Sequence, residues 1–393
     1  MNLLTNKLLW SVAFGHFALD VFANLTPMML PLLIVSLDLD YTRVGLIAVM
    51  FHLTSSLAQP FFGYLADRYG GRLLAPLGIA WTSLCIGLIG FAPDYYSLLA
   101  VLFLGGLGSA AFHPQGAMNA AIIGGKHKGS AVSVFMLGGN VGFALGPVIG
   151  GMLFLTYGLK STALLTLPGI LMAVLVYRAG AAVETHRKSI VSQPGAPTER
   201  PRIPVVAVVS LVLLIMLRSW TSSGLNNFTP LWYSSQGYSM EVASHVLLII
   251  LLGLAVGGLF GGFLSDRAGR RRVVSLSLLL LSPVVYLFLQ APPPLSLALA
   301  VPLGLLVGAS TSVTIVMAQD LLPQNVGMAS GLTLGLAFVT SSVGVAVTGN
   351  VADNFGLSNA LGVLAFLPLA GAILCWPIKP ARARSKAAEL AST

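Results

Sequence analysis

Charged side chains are scarce in this sequence. They make up 8% of its 393 residues, whereas soluble domains carry about 25%. So little charge cannot cover a surface that faces water, and the apolar residues, 56% of the chain, stand in runs too long and too numerous for a buried core. The composition excludes a soluble globular enzyme. It predicts an integral membrane protein, in which the many glycines and prolines are ordinary.

Motifs for catalysis and cofactor binding are also missing. The two cysteines, Cys85 and Cys375, lie in separate apolar runs without CxxC spacing. We expect them to make small apolar contacts rather than a disulfide or a metal pair. The sequence shows no set of nucleophile and base, no cluster of metal ligands and no phosphate-binding loop. We therefore expect no enzymatic activity, no metal and no cofactor.

Twelve apolar stretches are each long enough to cross a bilayer, for which a helix needs about 20 residues. The first follows Lys7 without a small-residue cleavage site, so we expect an uncleaved span rather than a signal peptide. We predict an all-α membrane protein with spans at 8–35, 43–66, 72–91, 95–123, 129–156, 161–178, 204–234, 241–264, 272–290, 295–319, 326–350 and 357–377.

The basic residues predict the orientation. With both termini inside, only Arg43 and Lys160 fall in outer loops and Arg218 in a span, so the other 18 of 21 Lys and Arg residues are inside. Positive charge marks the cytoplasmic side, which predicts a bacterial inner-membrane protein with both termini in the cytoplasm. Because the charge is spread over every inner loop, it does not indicate nucleic-acid binding.

Two segments are hydrophilic, one between the sixth and seventh spans and one after the twelfth. The proline-rich segment 179–203 is predicted to be a cytoplasmic linker between six-helix bundles at 1–178 and 204–379. The basic segment 380–393 is predicted to be a cytoplasmic tail at the lipid surface.

The two bundles repeat one another. The loop GYLADRYGGR begins at Gly63 and the loop GFLSDRAGRR begins at Gly262, 199 residues later. The two loops share Gly, Leu, Asp, Arg, Gly and Arg at matching positions. Asn24 and Asn227 each open a similar Asn-x-Thr-Pro segment, and Gly-Leu pairs recur before the last span of each half. Parallel six-helix repeats are the architecture of major facilitator transporters.

The repeated loop resembles the signature that the major facilitator superfamily carries between its second and third helices. The resemblance implies two pseudo-symmetric bundles that work by alternating access. We expect a monomer in the lipid bilayer, because each half already supplies the other's partner. In relatives, the Asp of this loop docks on a neighbouring helix end and helps to close one face. By resemblance we expect a gating role for Gly63, Asp67, Arg68, Arg72, Asp266 and Arg267. The alternative is that the arginines only set the topology.

The fifth span carries a second motif. Gly142, Gly146 and Gly150 lie on one helical face, and such a bare ridge lets another helix approach closely. Pro147 removes a backbone donor and favours a kink. The run resembles the fifth-span motif of proton-coupled exporters in the superfamily. Tight packing without any bearing on transport direction is the alternative.

Acidic residues are nearly absent from the spans, where an ionised group costs roughly 2.5–3.5 kcal/mol at mid-membrane. Asp20 is the one acid well inside a span. His16, Asp20 and Asn24 form a polar stripe at i, i+4 and i+8. A carboxylate beside an imidazole can handle protons, so we hypothesise that Asp20 carries a coupling proton and that His16 tunes it. A static polar lock between helices is the alternative.

Polar residues in the fourth and seventh spans indicate a substrate site. His113 beside Pro114 predicts an interrupted helix. Arg218 must meet Asp20, another acceptor or an anionic ligand, because its guanidinium binds carboxylates and phosphonates through paired donors. The expected substrate-binding residues are Arg218, His113, Asn24, Gln115, Asn119, Ser222, Asn226 and Trp220.

Local motifs in three spans resemble the fosmidomycin-resistance branch of the superfamily. They are Gly15-His16-Phe17 with Asp20, the segment ending in Phe112-His113-Pro114, and Arg218-Ser219-Trp220. Gln115 departs from the acidic residue of that branch. The resemblance implies proton-driven efflux, by antiport, of a small anionic or amphiphilic compound, with a bearing on antibiotic resistance. A proton-symport importer of an organic or phosphorylated anion is the alternative, and a non-transporting scaffold or sensor is a weaker one.

Overall fold

The computed structural model describes residues 5–69, 72–191, 204–292 and 294–378. Within these residues the chain forms α-helices joined by short turns, and no strand occurs. The helices are α1 Lys7–Ala23, α2 Thr26–Leu37, α3 Tyr41–Tyr69, α4 Leu74–Leu88, α5 Tyr95–Gly124, α6 Lys128–Tyr157, α7 Thr166–Val191, α8 Val205–Ser235, α9 Met240–Ala268, α10 Arg270–Gln290, α11 Leu295–Ala309, α12 Thr311–Leu321, α13 Val326–Phe355 and α14 Leu357–Leu374.

The helices confirm the predicted transmembrane architecture. Eleven described stretches are long and apolar enough to cross a membrane, and one of them, Tyr95–Phe154, is 60 residues long. That stretch consists of α5 and α6, separated by a turn in which Gly125 has φ +54°. It therefore crosses twice, since a single crossing takes about 20 residues, and the count of crossings becomes twelve.

Glycines end several helices and explain part of the internal repeat. The repeated Gly-Leu pairs contain Gly158 and Gly356, which follow α6 and α13 with φ of +71° and +85°. Glycine adopts this left-handed backbone without the steric penalty of a Cβ atom. Each pair therefore marks the turn into the last span of its half.

Two spans contain breaks, and one predicted break is absent. The first span divides between α1 and α2 at Asn24, and the tenth divides between α11 and α12 at Ser310. The prediction of an interrupted helix at His113 is wrong, because α5 continues through Pro114. A proline removes only one helix hydrogen bond, and in membrane helices side chains re-satisfy the freed backbone. The carbonyl that Pro114 leaves without its helix donor is that of Ala110, four residues earlier, and the His113 ring bonds the adjacent Ser109 carbonyl at 2.9 Å.

The two halves have separate apolar cores. One large cluster draws its buried residues from Leu211 to Ile378, whereas two other clusters draw almost all of theirs from Leu9 to Val183. The helix α7 continues to Val191, so it includes part of the predicted linker. The remaining linker residues, 192–203, and the predicted tail lie outside the described residues.

The halves meet along two glycine-lined contacts. In the first seam, α3 packs on α13, and a Cβ atom at Gly331 would collide with the Gln59 carbonyl oxygen. In the second seam, α6 packs on α9, and a Cβ atom at Gly129 would lie 2.6 Å from the Gly262 oxygen. Such backbone contact is possible only where glycine stands. Both seams lie toward the end of the molecule where α3 and α9 finish, which we call the loop face.

Candidate functional site

The glycine ridge of α6 lies against α1. A Cβ atom at Gly142 would collide with the Phe17 carbonyl oxygen, and one at Gly146 would lie 2.8 Å from the Val21 oxygen. The same face continues at Gly150, where a Cβ atom would lie 3.0 Å from Leu25 Cδ2. The predicted packing motif, which includes Pro147 within the helix, therefore joins α6 to the helix that carries His16 and Asp20.

One further glycine makes room for these two side chains. A Cβ atom at Gly139 would collide with the His16 ring and lie 2.7 Å from Asp20 Oδ2. Any larger residue at this position would have to displace the imidazole or the carboxylate. Gly139 belongs to the same glycine-rich run of the fifth span, but the predicted packing ridge named only Gly142, Gly146 and Gly150.

Asp20 lies between two histidines from different helices. His16 Nε2 is 3.2 Å from Asp20 Oδ2, and His113 Nε2 is 3.3 Å from Asp20 Oδ1. The His16 and His113 side chains are 2% and 7% exposed, and that of Asp20 is 16% exposed. The three residues form what we call the Asp20 cluster. The sequence predicted the pairing of His16 with Asp20 on α1. It assigned His113 of α5 to substrate binding and did not predict the contact of His113 with Asp20.

Backbone carbonyls fix the orientation of both imidazoles. His16 Nδ1 lies 2.8 Å from the Phe135 carbonyl oxygen, and His113 Nδ1 lies 2.9 Å from the Ser109 carbonyl oxygen. A carbonyl only accepts, so each Nδ1 carries the hydrogen and donates it. A neutral ring in this tautomer would then point the lone pair of Nε2 at the carboxylate. Each contact to Asp20 therefore requires a proton, either on the ring or on the carboxyl group.

The same three side chains have the composition of a metal-binding set. One donor atom from each lies within 4.8 Å of the others. Two imidazoles and a carboxylate could hold a divalent cation. The two imidazole nitrogens lie 3.2 and 3.3 Å from the carboxylate oxygens, so the three residues form a hydrogen-bonded cluster in this structure.

Arg218 lies in the other half, on α8, and is 7% exposed. Its guanidinium donates to Thr311 Oγ1 at 3.0 Å and to Ser219 Oγ at 3.2 Å. Its Nε atom is buried without a hydrogen-bond partner. Within the described ranges, no carboxylate lies within ion-pairing distance of Arg218, and Asp20 pairs instead with the two histidines. Of the three partners weighed for Arg218, the structure therefore provides other acceptors, the hydroxyl groups of Thr311 and Ser219.

The other expected substrate residues have distinct neighbours. Trp220 Nε1 donates to Thr348 Oγ1 at 2.9 Å. Asn24 donates to the Phe143 carbonyl oxygen at 2.8 Å. Gln115 donates to Asn119 Oδ1 at 2.8 Å, and both residues are buried. Side chains that are partly exposed on the same helix as Arg218 include Ser222 and Asn226.

At the loop face, two carboxylates bind helix N-termini of the opposite half. Asp67 accepts from the backbone N–H groups of Gly327 and Met328, both at 2.8 Å. Asp266 accepts from the N–H groups of Gly129 and Ser130, at 3.0 and 2.8 Å, and from the Ser130 hydroxyl at 2.7 Å. Unpaired N–H groups and the helix dipole make a helix N-terminus favourable for an anion.

The arginines of the repeated loops lie outside these carboxylate contacts. Arg68 donates to the Tyr64 hydroxyl at 2.8 Å. Arg72 lies over the Tyr177 ring at 4.5 Å, and Arg271 lies over the Trp376 ring at 5.2 Å. The second arginine and the second ring each follow their counterparts by 199 residues, the same spacing as the repeated loops. Arg267 is exposed. Gly63 faces Gly327 in the first seam.

Several residues were missed by the sequence interpretation. Asp320 pairs with Arg270 within its own half and with Lys128 of the other half at 3.3 Å. Ser55 and Gln59 continue the contacts of His113 across α3. Their i, i+4 spacing on one apolar helix was a usable signal, whereas the partners of Asp320 could not be read from the sequence.

Comparisons with known proteins agree with this architecture. The Major Facilitator Superfamily profile matches residues 12–255 and 211–392. The fosmidomycin resistance protein of Escherichia coli K12 is 30% identical over 93% of this chain and 91% of its own length. The uncharacterized MFS-type transporter YfnC of Bacillus subtilis 168 is 32% identical over 91% and 89%. The E. coli fucose:proton symporter FucP has a similar fold, with TM-score 0.73 and 13% identity over 95% and 98%.

Proposed function

The chain belongs to the Major Facilitator Superfamily, and from this premise we propose that it exports a small anionic or amphiphilic compound in exchange for protons. Transport would proceed by alternating access, with the two halves rocking about a site between them. The membrane would be the bacterial inner membrane, and the loop face with its basic residues would lie in the cytoplasm.

The Asp20 cluster is the single observation that carries the proton coupling. Both of its contacts need protons, because the carbonyls of Phe135 and Ser109 hold the hydrogens of the two rings on Nδ1. The carboxylate is partly exposed at 16%, so water can deliver those protons. Loss of protons would leave lone pairs facing a carboxylate at 3.2 and 3.3 Å. The arrangement of the cluster therefore changes with its protonation state.

Arg218 supports an anionic substrate. A buried guanidinium is costly without a counter-charge, and the described partners of Arg218 are two neutral hydroxyl groups. A carboxylate or phosphonate could accept from its paired donors. The name of the E. coli relative, a fosmidomycin resistance protein, makes the phosphonate fosmidomycin the first compound to try.

The contacts of Asp67 and Asp266 at the loop face, which we call the clasps, supply the second requirement of alternating access, a closed barrier on one side. Asp67 and Asp266 each join a loop of one half to a helix N-terminus of the other. Protons entering from outside would bind the Asp20 cluster while this face is closed. Substrate held by Arg218 would then leave outward, and separation of the clasps would return the site to the cytoplasm.

Proton flux tests this proposal. Proteoliposomes loaded with the pH dye pyranine would be placed in an imposed pH gradient, and fosmidomycin or another organic anion would be added singly. We expect one anion to drive proton movement in the wild type, and we expect Asp20→Asn and Arg218→Ala to abolish it. Glu241→Gln and Arg272→Ala, which change exposed charges, are the matched controls.

The outcomes separate the alternatives. Proton movement opposite to the anion supports exchange, whereas movement in the same direction would identify a symporter. If a labelled anion equilibrates without any proton movement, Asp20 is structural and the protein is a facilitator. If no anion tested moves in either form, the assignment of an anionic substrate fails.

A further inference from the structure

Each half carries an arginine over an aromatic ring, away from the seams. Arg72 stands two residues before α4 and lies over the Tyr177 ring of α7. Arg271 stands in the first turn of α10 and lies over the Trp376 ring, two residues after α14. The helices α4 and α7 pack on each other within the first half, and α10 and α14 do so within the second. Because α3, α6, α9 and α13 form the seams, both pairs lie apart from the junction of the halves.

Both guanidinium groups keep their hydrogen-bond donors unused. A cation is attracted to the face of an aromatic ring, and this contact takes up none of the five N–H donors of an arginine. Within the described ranges, neither Arg72 nor Arg271 makes a hydrogen bond or an ion pair. Each position therefore offers a positive charge and a set of donors that suit an anion.

The two rings lie where the membrane helices leave the hydrocarbon. Tyr177 is near the end of the apolar stretch Leu159–Ala181, and Trp376 follows the stretch Leu357–Leu374. Both side chains are exposed. Tyrosine and tryptophan are enriched at this depth, because their rings are amphipathic and lipid headgroups begin there. The two arginines therefore stand at the headgroup level of the leaflet on the side of the loop face.

Exposed apolar side chains continue from each arginine toward the middle of the membrane. In the first half they include Leu77 of α4 and Val174 of α7, and in the second half Leu276 of α10 and Ile373 of α14. The second pair follows the first by 199 residues, which is also the spacing of the arginines and of the rings. Four positions of one lipid-facing surface thus recur in the second half. Such a surface can hold acyl chains beside a charged headgroup site.

The charge of each place selects the headgroup. A second exposed arginine adjoins each place, because Arg178 follows Tyr177 and Arg272 follows Arg271. A guanidinium binds a phosphate oxygen pair through its paired donors, and basic pockets between membrane helices bind anionic headgroups. A zwitterionic headgroup would bring its own cation to the two arginines. The charge therefore favours a lipid with a net negative headgroup.

We infer that each half binds one anionic phospholipid, with its phosphate on the arginine and its acyl chains along the exposed apolar residues. The first lipid site contains Arg72 and Tyr177, and the second lipid site contains Arg271 and Trp376. The inference does not depend on proton coupling or on the direction of transport. If the arginines served only to join two helices of their own half, no lipid would be selected at either site.

Native mass spectrometry of the full chain tests this inference by counting bound lipids. Phosphatidylglycerol, or phosphatidylcholine with the same acyl chains, would be titrated into detergent-solubilised protein. We expect the wild type to retain two phosphatidylglycerol molecules in preference to phosphatidylcholine. Arg72→Gln and Arg271→Gln should each raise the dissociation constant of one site at least fivefold, the effect of one arginine near an anionic headgroup, and leave the other site unchanged. The double variant should lose both.

Two further variants keep the test decisive. Arg267→Gln is the matched control, because it removes an exposed arginine of the same face that belongs to neither lipid site, and it should retain two phosphatidylglycerol molecules. Trp376→Leu removes the ring but keeps Arg271, and it should weaken the second site alone. It decides the matter for that site if Arg271→Gln does not fold. The melting temperature of each variant without added lipid checks its folding.

Each contrary result overturns a stated part of the inference. If the double variant binds two phosphatidylglycerol molecules as tightly as the wild type, the arginines only join helices. An equal loss in Arg267→Gln would replace two sites by a diffuse charge effect. Equal retention of phosphatidylcholine would remove the selectivity for an anionic headgroup. If millimolar inorganic phosphate displaces the lipid, the sites take a small anion instead.

Discussion

Gly139 lies so close to Asp20 that a methyl group on its α-carbon would stand 2.7 Å from the carboxylate oxygen Oδ2. The same methyl group would collide with the His16 ring. Gly139 thus determines, from α6, whether the two site residues of α1 can occupy their present positions. The glycine run of the fifth span has a direct connection to the candidate proton site as well as a packing role.

We therefore expect Gly139→Ala to abolish proton-coupled transport while the protein still folds. Alanine favours a helix over glycine by about 1 kcal/mol, so local helix stability should not fall. The pyranine assay would measure the loss. Gly151→Ala on the same helix is the control, since its Cβ atom would meet only the flexible end of Met28, at 3.3 Å. Normal proton flux in Gly139→Ala would show that the cluster tolerates displacement.

The Asp20 cluster is expected to hold two protons in the state described here. Its two contacts, to His16 and His113, each need one, and neutral rings with hydrogens on Nδ1 supply none. Nitrogen-15 magnetic resonance of histidine-labelled protein at pH 5 should show at least one of the two rings protonated on both nitrogens. The second proton should be either on the other ring or on the Asp20 carboxyl group. His245→Gln would serve to assign an unrelated resonance. Two neutral rings beside an ionised carboxylate would contradict the expectation.

The clasp made by Asp266 should hold the loop face more strongly than a single surface ion pair. Hydrogen bonds to a charged group each contribute about 1.5 to 3 kcal/mol, and Asp266 accepts three, from Gly129 and Ser130. We expect Asp266→Ala to raise the population of molecules with an open loop face at least tenfold. Spin labels at Lys126→Cys and Arg272→Cys, two exposed positions in different halves, would measure this population by electron–electron resonance in lipid nanodiscs. Arg267→Ala, a change at an exposed neighbour, should leave the population unchanged. Equal effects of the two substitutions would refute a clasp formed by the carboxylate.

Asp320 is expected to stabilise the junction of the halves. It pairs with Arg270 and with Lys128, and Arg270 Nε already lacks a partner. Asp320→Asn should lower the free energy of unfolding by roughly 1 kcal/mol, because these partly exposed ion pairs are screened by water. Thermal unfolding in one detergent, compared with Asp353→Asn at an exposed position, would measure the difference. An unchanged melting temperature would show that the pairs contribute nothing net.

The sequence predicted most of the architecture because the relevant signals are local. Apolar runs of about 20 residues predict a spanning helix whatever its neighbours, and each predicted span has a counterpart in the structure. The repeated loops predicted the two bundles. The wrong prediction of a helix break at Pro114 also came from a local signal. Proline removes one helix hydrogen bond, and the sequence could not show that the remaining hydrogen bonds would keep α5 continuous.

The sequence by itself determined the number of crossings, the repeat, and the stripe that places His16 one helical turn from Asp20, since these depend on helix periodicity along one chain segment. Only the tertiary structure decided that His113 of α5 completes the Asp20 cluster, that Gly139 makes room for it, and that Arg218 does not reach Asp20. Those relationships depend on which helix faces which. In a membrane, where lipid is as apolar as most side chains, helix pairing is set by close packing and hydrogen bonds. These act between surfaces that are distant in sequence, so hydrophobicity alone cannot specify them.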